Sequence, residues 1–206
     1  MSNNKKFFKE NENRDFNKLV DFNDKYLHAQ ITRNGEGESI DAYGVLSDGR
    51  NAAIELKNRY KYNLEVDENG NYYCVNDTNG YSCYTIFCEA NKMSELLLEY
   101  QYNNKREPLY INFTKNDYVL VFNLNKLVNK PQYKILYVEN EGYNFTEKCY
   151  RYLLNITDAT IYKKENDSYR LVQKCAYSKQ NIVQILGWEV EEYGNRDIII
   201  KPKNLI

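Results

Sequence analysis

The segment 38–61, ESIDAYGVLSDGRNAAIELKNRYK, holds three residues whose types and spacing suit chemistry. Asp41 lies before a turn, Ser47-Asp48-Gly49, and Glu55-Leu56-Lys57 lies after it. A three-residue hairpin loop with Gly49 in the left-handed position, a type I turn plus bulge, is a common connection. It sets Leu46 opposite Arg50 and Asp41 opposite Glu55. Opposed residues share a face, and so do strand residues two apart. Asp41, Glu55 and Lys57 then project from one side. Ile40, Ala42, Leu46, Ala52, Ile54 and Leu56 form an apolar reverse face. A two-residue Asp48-Gly49 loop would instead set Asp41 opposite Leu56 and separate the carboxylates. The apolar pattern favours the first register.

Two carboxylates on one face repel unless something neutralises them, and a divalent cation does so. Mg²⁺ takes one or two carboxylates, keeps several waters and binds phosphate oxygens. The expected cofactor is therefore Mg²⁺ or Mn²⁺, held by Asp41 and Glu55, with the main-chain carbonyl of Leu56 as a further candidate ligand. Lys57 would stand near a metal-bound water. There it could hold or deprotonate that water, or stabilise charge on a phosphorane-like transition state. This chemistry hydrolyses a phosphodiester without histidine. The chain has one histidine, His28, too few for a Ser–His–Asp hydrolase or a multi-histidine metal site.

These residues need elements to position them. Phe16, Leu19, Val20 and Leu27 recur at helical spacing and predict a helix over 12–30. Residues 39–57 read as the hairpin and 60–82 as a polar loop or irregular hairpin. Tyr84–Asn103 reads as a second helix, with Ile86, Ala90, Met93, Leu97 and Tyr100 on one face. Pro108–Phe113 and Tyr118–Leu124 read as strands around Lys115-Asn116-Asp117. Lys134–Val138 and Tyr152–Ile156 are further strands, and Ala159–Lys163 is expected to pair with Tyr169–Gln173. The expected class is α/β (α+β), a mixed central sheet flanked by helices. At 206 residues the chain fits a single domain.

Asp41…Glu55-x-Lys57 on a hairpin, after one helix and before another, resembles the PD-(D/E)xK nuclease superfamily. The helix CEANKMSELLLEY and the strands PLYINF and YVLVFNL resemble the later part of its restriction-endonuclease-like core. Ile40 stands where the motif's name has proline. The resemblance covers residues 10–125 and leaves 126–206 as a C-terminal extension packed on the core. It implies that Asp41 and Glu55 hold the metal and that Lys57 is the catalytic lysine. It also implies DNA as substrate, with RNA as the rival. A further acid from the first helix is found in some such families, which brings in Glu12 or Asp15. Glu89 and Lys92, at i and i+3 on the expected second helix, could line the cleft or form a surface ion pair. Arg59 and Lys61 continue a basic stripe from Lys57 that could meet phosphate. Tyr60, Tyr62, Tyr72, Tyr73, Tyr81 and Tyr84 crowd the same region and could stack on unpaired bases.

Net charge is −1, so nucleic-acid binding would depend on a local patch and on the metal. There is no apolar run long enough to span a membrane, no signal-peptide pattern at residues 1–10, and five cysteines without CxxC spacing. The expected setting is cytoplasmic, with reduced thiols. A homodimer would supply the two sites that cutting both strands needs. The rival from another class is a non-catalytic nucleic-acid- or protein-binding module of the same fold. A third is a small phage or mobile-element accessory protein whose charged face is incidental. Trp188 is a candidate anchor for packing or for an interface.

Overall fold

The computed structural model describes residues 3–35, 38, 40–102, 105–139, 146–175, 188–193 and 197–202. Helix α1 spans Asn3–Phe22 and closes in a π-type turn, Asn23–Leu27. It begins before the expected 12–30 and ends well short of residue 30. The cause is the corner at His28, which takes a left-handed φ of +48°. The Asn23 side chain secures that corner, donating to Ala29 O and accepting from Ala29 N, each at 2.9 Å. Strand β1, Gln30–Arg33, follows directly.

Strands β2 (Ala42–Val45) and β3 (Asn51–Arg59) form the hairpin. Leu46 N donates to Arg50 O at 2.8 Å, and Gly49, at φ +82°, closes the three-residue loop. Ala42 faces Ile54 and Tyr43 faces Ala53, which is the register expected from the apolar alternation. Residues 60–82, left open between loop and hairpin, form β4 (Tyr62–Val66), β5 (Tyr72–Asn76) and the short β6 (Ser82–Cys83).

The segment expected as one helix over 84–103 is two elements. Strand β7 is Thr85–Glu89, and α2 runs Ala90–Tyr102. Ile86 and Ala90 fit a helical period, but Ile86 and Cys88 also alternate at period two, and both are buried. Pairing of β7 with a distant strand decides between the two readings, since tertiary pairing overrides local pattern in short segments.

The remaining strands are β8 (Glu107–Thr114), β9 (Tyr118–Asn123), β10 (Gln132–Glu139), β11 (Thr146–Asn155), β12 (Thr160–Glu165), β13 (Ser168–Gln173), β14 (Trp188–Tyr193) and β15 (Asp197–Pro202). Seven of the strands form the main sheet in the order β1-β2-β3-β8-β9-β12-β13. Its neighbours are antiparallel except β3 and β8, which run parallel. A parallel pair needs a long crossover, and here the crossover carries β4–β7 and α2. The fold is thus mixed α/β, though strands dominate. The segment after 125, expected as a layer packed on the core, is more deeply integrated: β12 and β13 extend the sheet itself, and β11 pairs with β7. The Trp188 side chain lies outside the described residues.

Both faces of the sheet are covered, which is why β3, β8 and β9 read as near-continuous apolar runs. On one face Leu19 and Phe22 of α1 pack with Ala42, Ala52, Ile54, Leu56 and Ile111. On the other, Met93, Leu96 and Leu97 of α2 pack with Ala53, Tyr110, Leu120 and Phe122. Burying a side chain such as Phe22 or Leu97 contributes about 1.5–3 kcal/mol each, so both helices are held against β3 from opposite sides. All five cysteines are unpaired thiols. Among the described residues no helix is long and apolar enough to cross a membrane.

Candidate active site

The site lies where β2 leaves the sheet while β3 continues. Asn34 diverts the chain: its main-chain N–H donates to Asp41 O at 3.0 Å and its side-chain amide donates to Ile40 O at 2.8 Å. β2 therefore begins only at Ala42, and β3 runs on beyond Ile54 without that neighbour. The Leu56 N–H would lack a partner on this side, and the Asp41 carboxylate supplies one, with Oδ2 accepting at 2.7 Å. The N–H and C=O of a strand residue point to the same side, so the Leu56 carbonyl faces the same open edge. The same bend moves Ile40. It was expected on the apolar face with Ala42 and Leu56, but it is buried on the α2 side of the sheet with Ala53.

That edge opens into a cleft of about 610 Å³, lined by Asp41, Glu55, Leu56 and Lys57 with Glu12 and Asp15 of α1 and Lys92 of α2. Glu55 is only 1% exposed. Lys57 Nζ lies 3.2 Å from its Oε1, and Lys92 Nζ lies 3.3 Å from its Oε2. Lys57 Nζ is also 3.8 Å from Glu89 Oε1. One oxygen each of Glu55 and Glu89, Oε2, is buried without a hydrogen bond. Burial pushes the Glu55 carboxyl up to about 7; Lys57 pulls it down, Asp41 adds to the rise, and Lys92 opposes it. Burial alone would lower the Lys57 ammonium, but Glu55 and Glu89 more than offset this and hold it above its ordinary value. Burial thus pushes the Glu55 carboxyl toward its neutral form, while Lys57 keeps its proton. Lys57 is suited to orienting a water or stabilising developing negative charge, rather than to removing a proton.

Among the described residues no group of three or more His, Cys, Asp and Glu side chains is placed to hold a metal ion. The donors present are Asp41, Glu55, whose Oε2 has the Lys92 ammonium 3.3 Å away but no hydrogen bond, and the Leu56 carbonyl. They fit the mode in which Mg²⁺ takes one or two carboxylates and completes its shell with water and substrate oxygens.

The other expected residues divide. Glu12 is exposed, 3.9 Å from Arg33 across the cleft rim. Asp15 is half-buried and accepts from Asn58 Nδ2 at 3.0 Å, while Lys18 donates to Asn58 Oδ1 at 3.1 Å. Burial raises the Asp15 carboxyl, against the lowering effect of Asn58 and Arg14. Glu89 and Lys92 do meet Glu55 and Lys57, but not as neighbours on one helix: Glu89 ends β7 and Lys92 sits in the first turn of α2. Arg59 is not available to this cleft. It is buried, donating to Asn112 Oδ1 at 2.9 Å, Tyr110 OH at 2.6 Å and Phe87 O at 2.5 Å. Lys61 is exposed in the turn after β3, its Nζ 5.6 Å from the Tyr60 ring. The basic stripe thus breaks at the strand end. His28 is exposed at its corner, away from the cleft lining. Asn34, Asn58 and Arg33 were not anticipated. Asn58 could have been found as the residue after Lys57 on β3; nothing local marks Asn34.

No family model, curated protein or solved structure matches the chain. The case for the site rests on its own geometry.

Proposed function

We propose that the chain is a Mg²⁺- or Mn²⁺-dependent nuclease of PD-(D/E)xK type that hydrolyses DNA phosphodiester bonds, built on a restriction-endonuclease-like core. The observation that carries this reading is the meeting of Asp41, Glu55 and Lys57 at the one edge of β3 that β2 leaves open. The order α1, antiparallel strands β1 to β3, a crossover that carries β4 to β7 and α2, and then the parallel strand β8 supports the same reading. In it, Asp41 and Glu55 hold the cation, with the Leu56 carbonyl beside them. The bound cation would supply an activated water and neutralise phosphate charge. Lys57, kept protonated, orients that water and stabilises charge on the phosphate oxygens as they gain it. Lys92, whose ammonium balances Glu55 here, would be within the cleft to meet phosphate charge.

Cleavage of plasmid or branched DNA by the purified protein with Mg²⁺ tests the proposal. The expected result is nicking that is lost in Lys57→Ala and in Asp41→Ala. Activity equal to wild type in both variants sinks the mechanism. RNA offered in parallel separates the two substrate classes.

A second reading is a non-catalytic module with the same architecture. It is favoured by the ammonium partners that both Glu55 oxygens already have within 3.3 Å. The Asp41–Leu56 hydrogen bond would then serve only to close a strand edge. Isothermal titration with Mn²⁺ separates the readings, since the module predicts no binding.

A further inference from the structure

Two residues beyond Lys57 on β3, about 7 Å along the strand, Arg59 lines a second cleft of about 320 Å³. Arg151 of β11 and Lys134 of β10 line it too, together with Phe87, Tyr62 and Tyr81. Among the described residues that line it, none is acidic. Lys134 and Arg151 stand directly opposite each other in the β10–β11 ladder. Like charges so placed repel unless something neutralises them. The carboxylate next in line, Glu89, opposes Arg151 on its other side but reaches toward Lys57.

The two arginines are in different states. Both guanidinium carbons lie 4.0 Å from the centroid of the Phe87 ring. Arg59 has its donors engaged by Asn112, Tyr110 and Phe87. Arg151 Nε is buried with no hydrogen-bond partner. A buried guanidinium N–H without an acceptor is costly. Here it sits in a cleft whose charged lining groups are all cationic, so an anionic acceptor fits it best. Beside it Tyr81 keeps 64% of its surface exposed, an aromatic ring held in water at the mouth.

We propose that this cleft binds one unpaired nucleotide. Its phosphate is held by Arg151 and Lys134, and its base lies against Tyr81 and Tyr62. Guanidinium groups match phosphate oxygens in pairs, and base–tyrosine stacking is tolerant of sequence. The volume is at the small end of ligand sites and suits one nucleotide, not a duplex. The ligand is either a free mononucleotide or a nucleotide of a single strand. In the latter case, and resting on the nuclease reading above, the strand would pass along β3 to Lys57, making the substrate single-stranded or a frayed end.

Fluorescence anisotropy of labelled oligothymidylate in EDTA tests this without cleavage, with free thymidine monophosphate and a blunt hairpin duplex as competitors. Oligothymidylate is expected to bind, with the duplex competing at least ~10-fold more weakly. Lys134→Glu and Tyr81→Ala, both at exposed positions, are each expected to weaken binding about 5- to 10-fold. Arg151→Gln is expected to weaken it by ~10-fold or more. Displacement by the mononucleotide assigns the cleft to a free nucleotide, and failure to displace assigns it to a strand. The proposal is overturned if neither nucleotide ligand binds wild type better than Lys134→Glu, or if the duplex competes equally. A chain that binds through Lys134 but never cleaves DNA keeps this inference and loses the nuclease. One that cleaves with Lys134 irrelevant does the reverse.

Discussion

Two glutamates on adjacent strands show how the same residue can serve structure or chemistry. Glu55 on β3 and Glu107 on β8 are both buried, and the strands run side by side in parallel. Glu107 is saturated. Arg50 donates to it at 2.5 Å, Asn123 at 2.6 Å and Lys126 at 3.1 Å. Burial would raise its carboxyl, but Asn123, Arg50 and Lys126 together hold it below its ordinary value. Glu55 has two ammonium groups nearby, yet one oxygen lacks a hydrogen bond and burial wins, leaving it near 7. A carboxylate with all its donors in place is a strut. One left short of donors in a cleft is available to something else.

The largest expected contrast is in activity. Lys57→Ala should lower Mg²⁺-dependent cleavage by about 10²–10³-fold, the range for losing one transition-state charge partner, while Arg50→Ala, which removes contacts to Glu107 and to Asp48 in the hairpin loop, should leave it within about twofold of wild type when the chain is folded. Single-turnover cleavage on matched samples measures both.

Stability against pH should separate the pair next. Glu55 titrates near 7 in the folded chain and near 4.5 when unfolded. Between those values the unfolded chain has lost a proton that the folded chain keeps, so stability falls as pH rises through the window, by about 3 kcal/mol. Glu107 has the opposite sign. Its folded value is depressed, so its contribution is present above the unfolded value and lost as pH falls through the folded one. Urea midpoints from pH 4 to 8 should show the Glu55 decline in wild type and its disappearance in Glu55→Gln. A wild-type midpoint flat across that range would mean that Lys57 and Lys92 neutralise Glu55 fully.

Glu107→Ala should cost roughly 2 kcal/mol. That is below the 3–5 typical of breaking a buried ion pair, because Arg50 is half exposed and can regain water. The smallest effect expected is on cation binding. Mn²⁺ must displace the Glu55 proton, so its affinity by calorimetry should drop about tenfold from pH 8 to pH 6, with proton uptake by the buffer at the lower pH. An affinity independent of pH would place the cation elsewhere.

What could be read in advance follows the range of the interactions. The β2–β3 register came from the three-residue loop Ser47-Asp48-Gly49 and an alternating apolar pattern, both local, and the structure has that register. The pairing of β12 with β13 is local in the same way. The helix–strand junction at 89–90 was misread because Ile86, Cys88 and Ala90 satisfy both periods, and only pairing of β7 with β11, some sixty residues away, selects the strand. The site was legible in its acids and lysine but not in its cause. Nothing near Asn34 announces that it takes the Ile40 and Asp41 carbonyls and so opens the edge of β3. Lys92 reaches Glu55 through packing of α2 on the sheet, and Arg59 turns inward to Asn112 and Tyr110. Neither outcome follows from spacing.

The central claim is that Asp41, Glu55 and Lys57 form a working phosphodiesterase site and that the Glu107 cluster is structural. Plasmid nicking with Mg²⁺ by Lys57→Ala and Glu107→Gln, side by side at equal folded fraction, tests it most directly. Nicking should disappear in the first and persist in the second. Nicking retained in both, or lost equally in both, would contradict it.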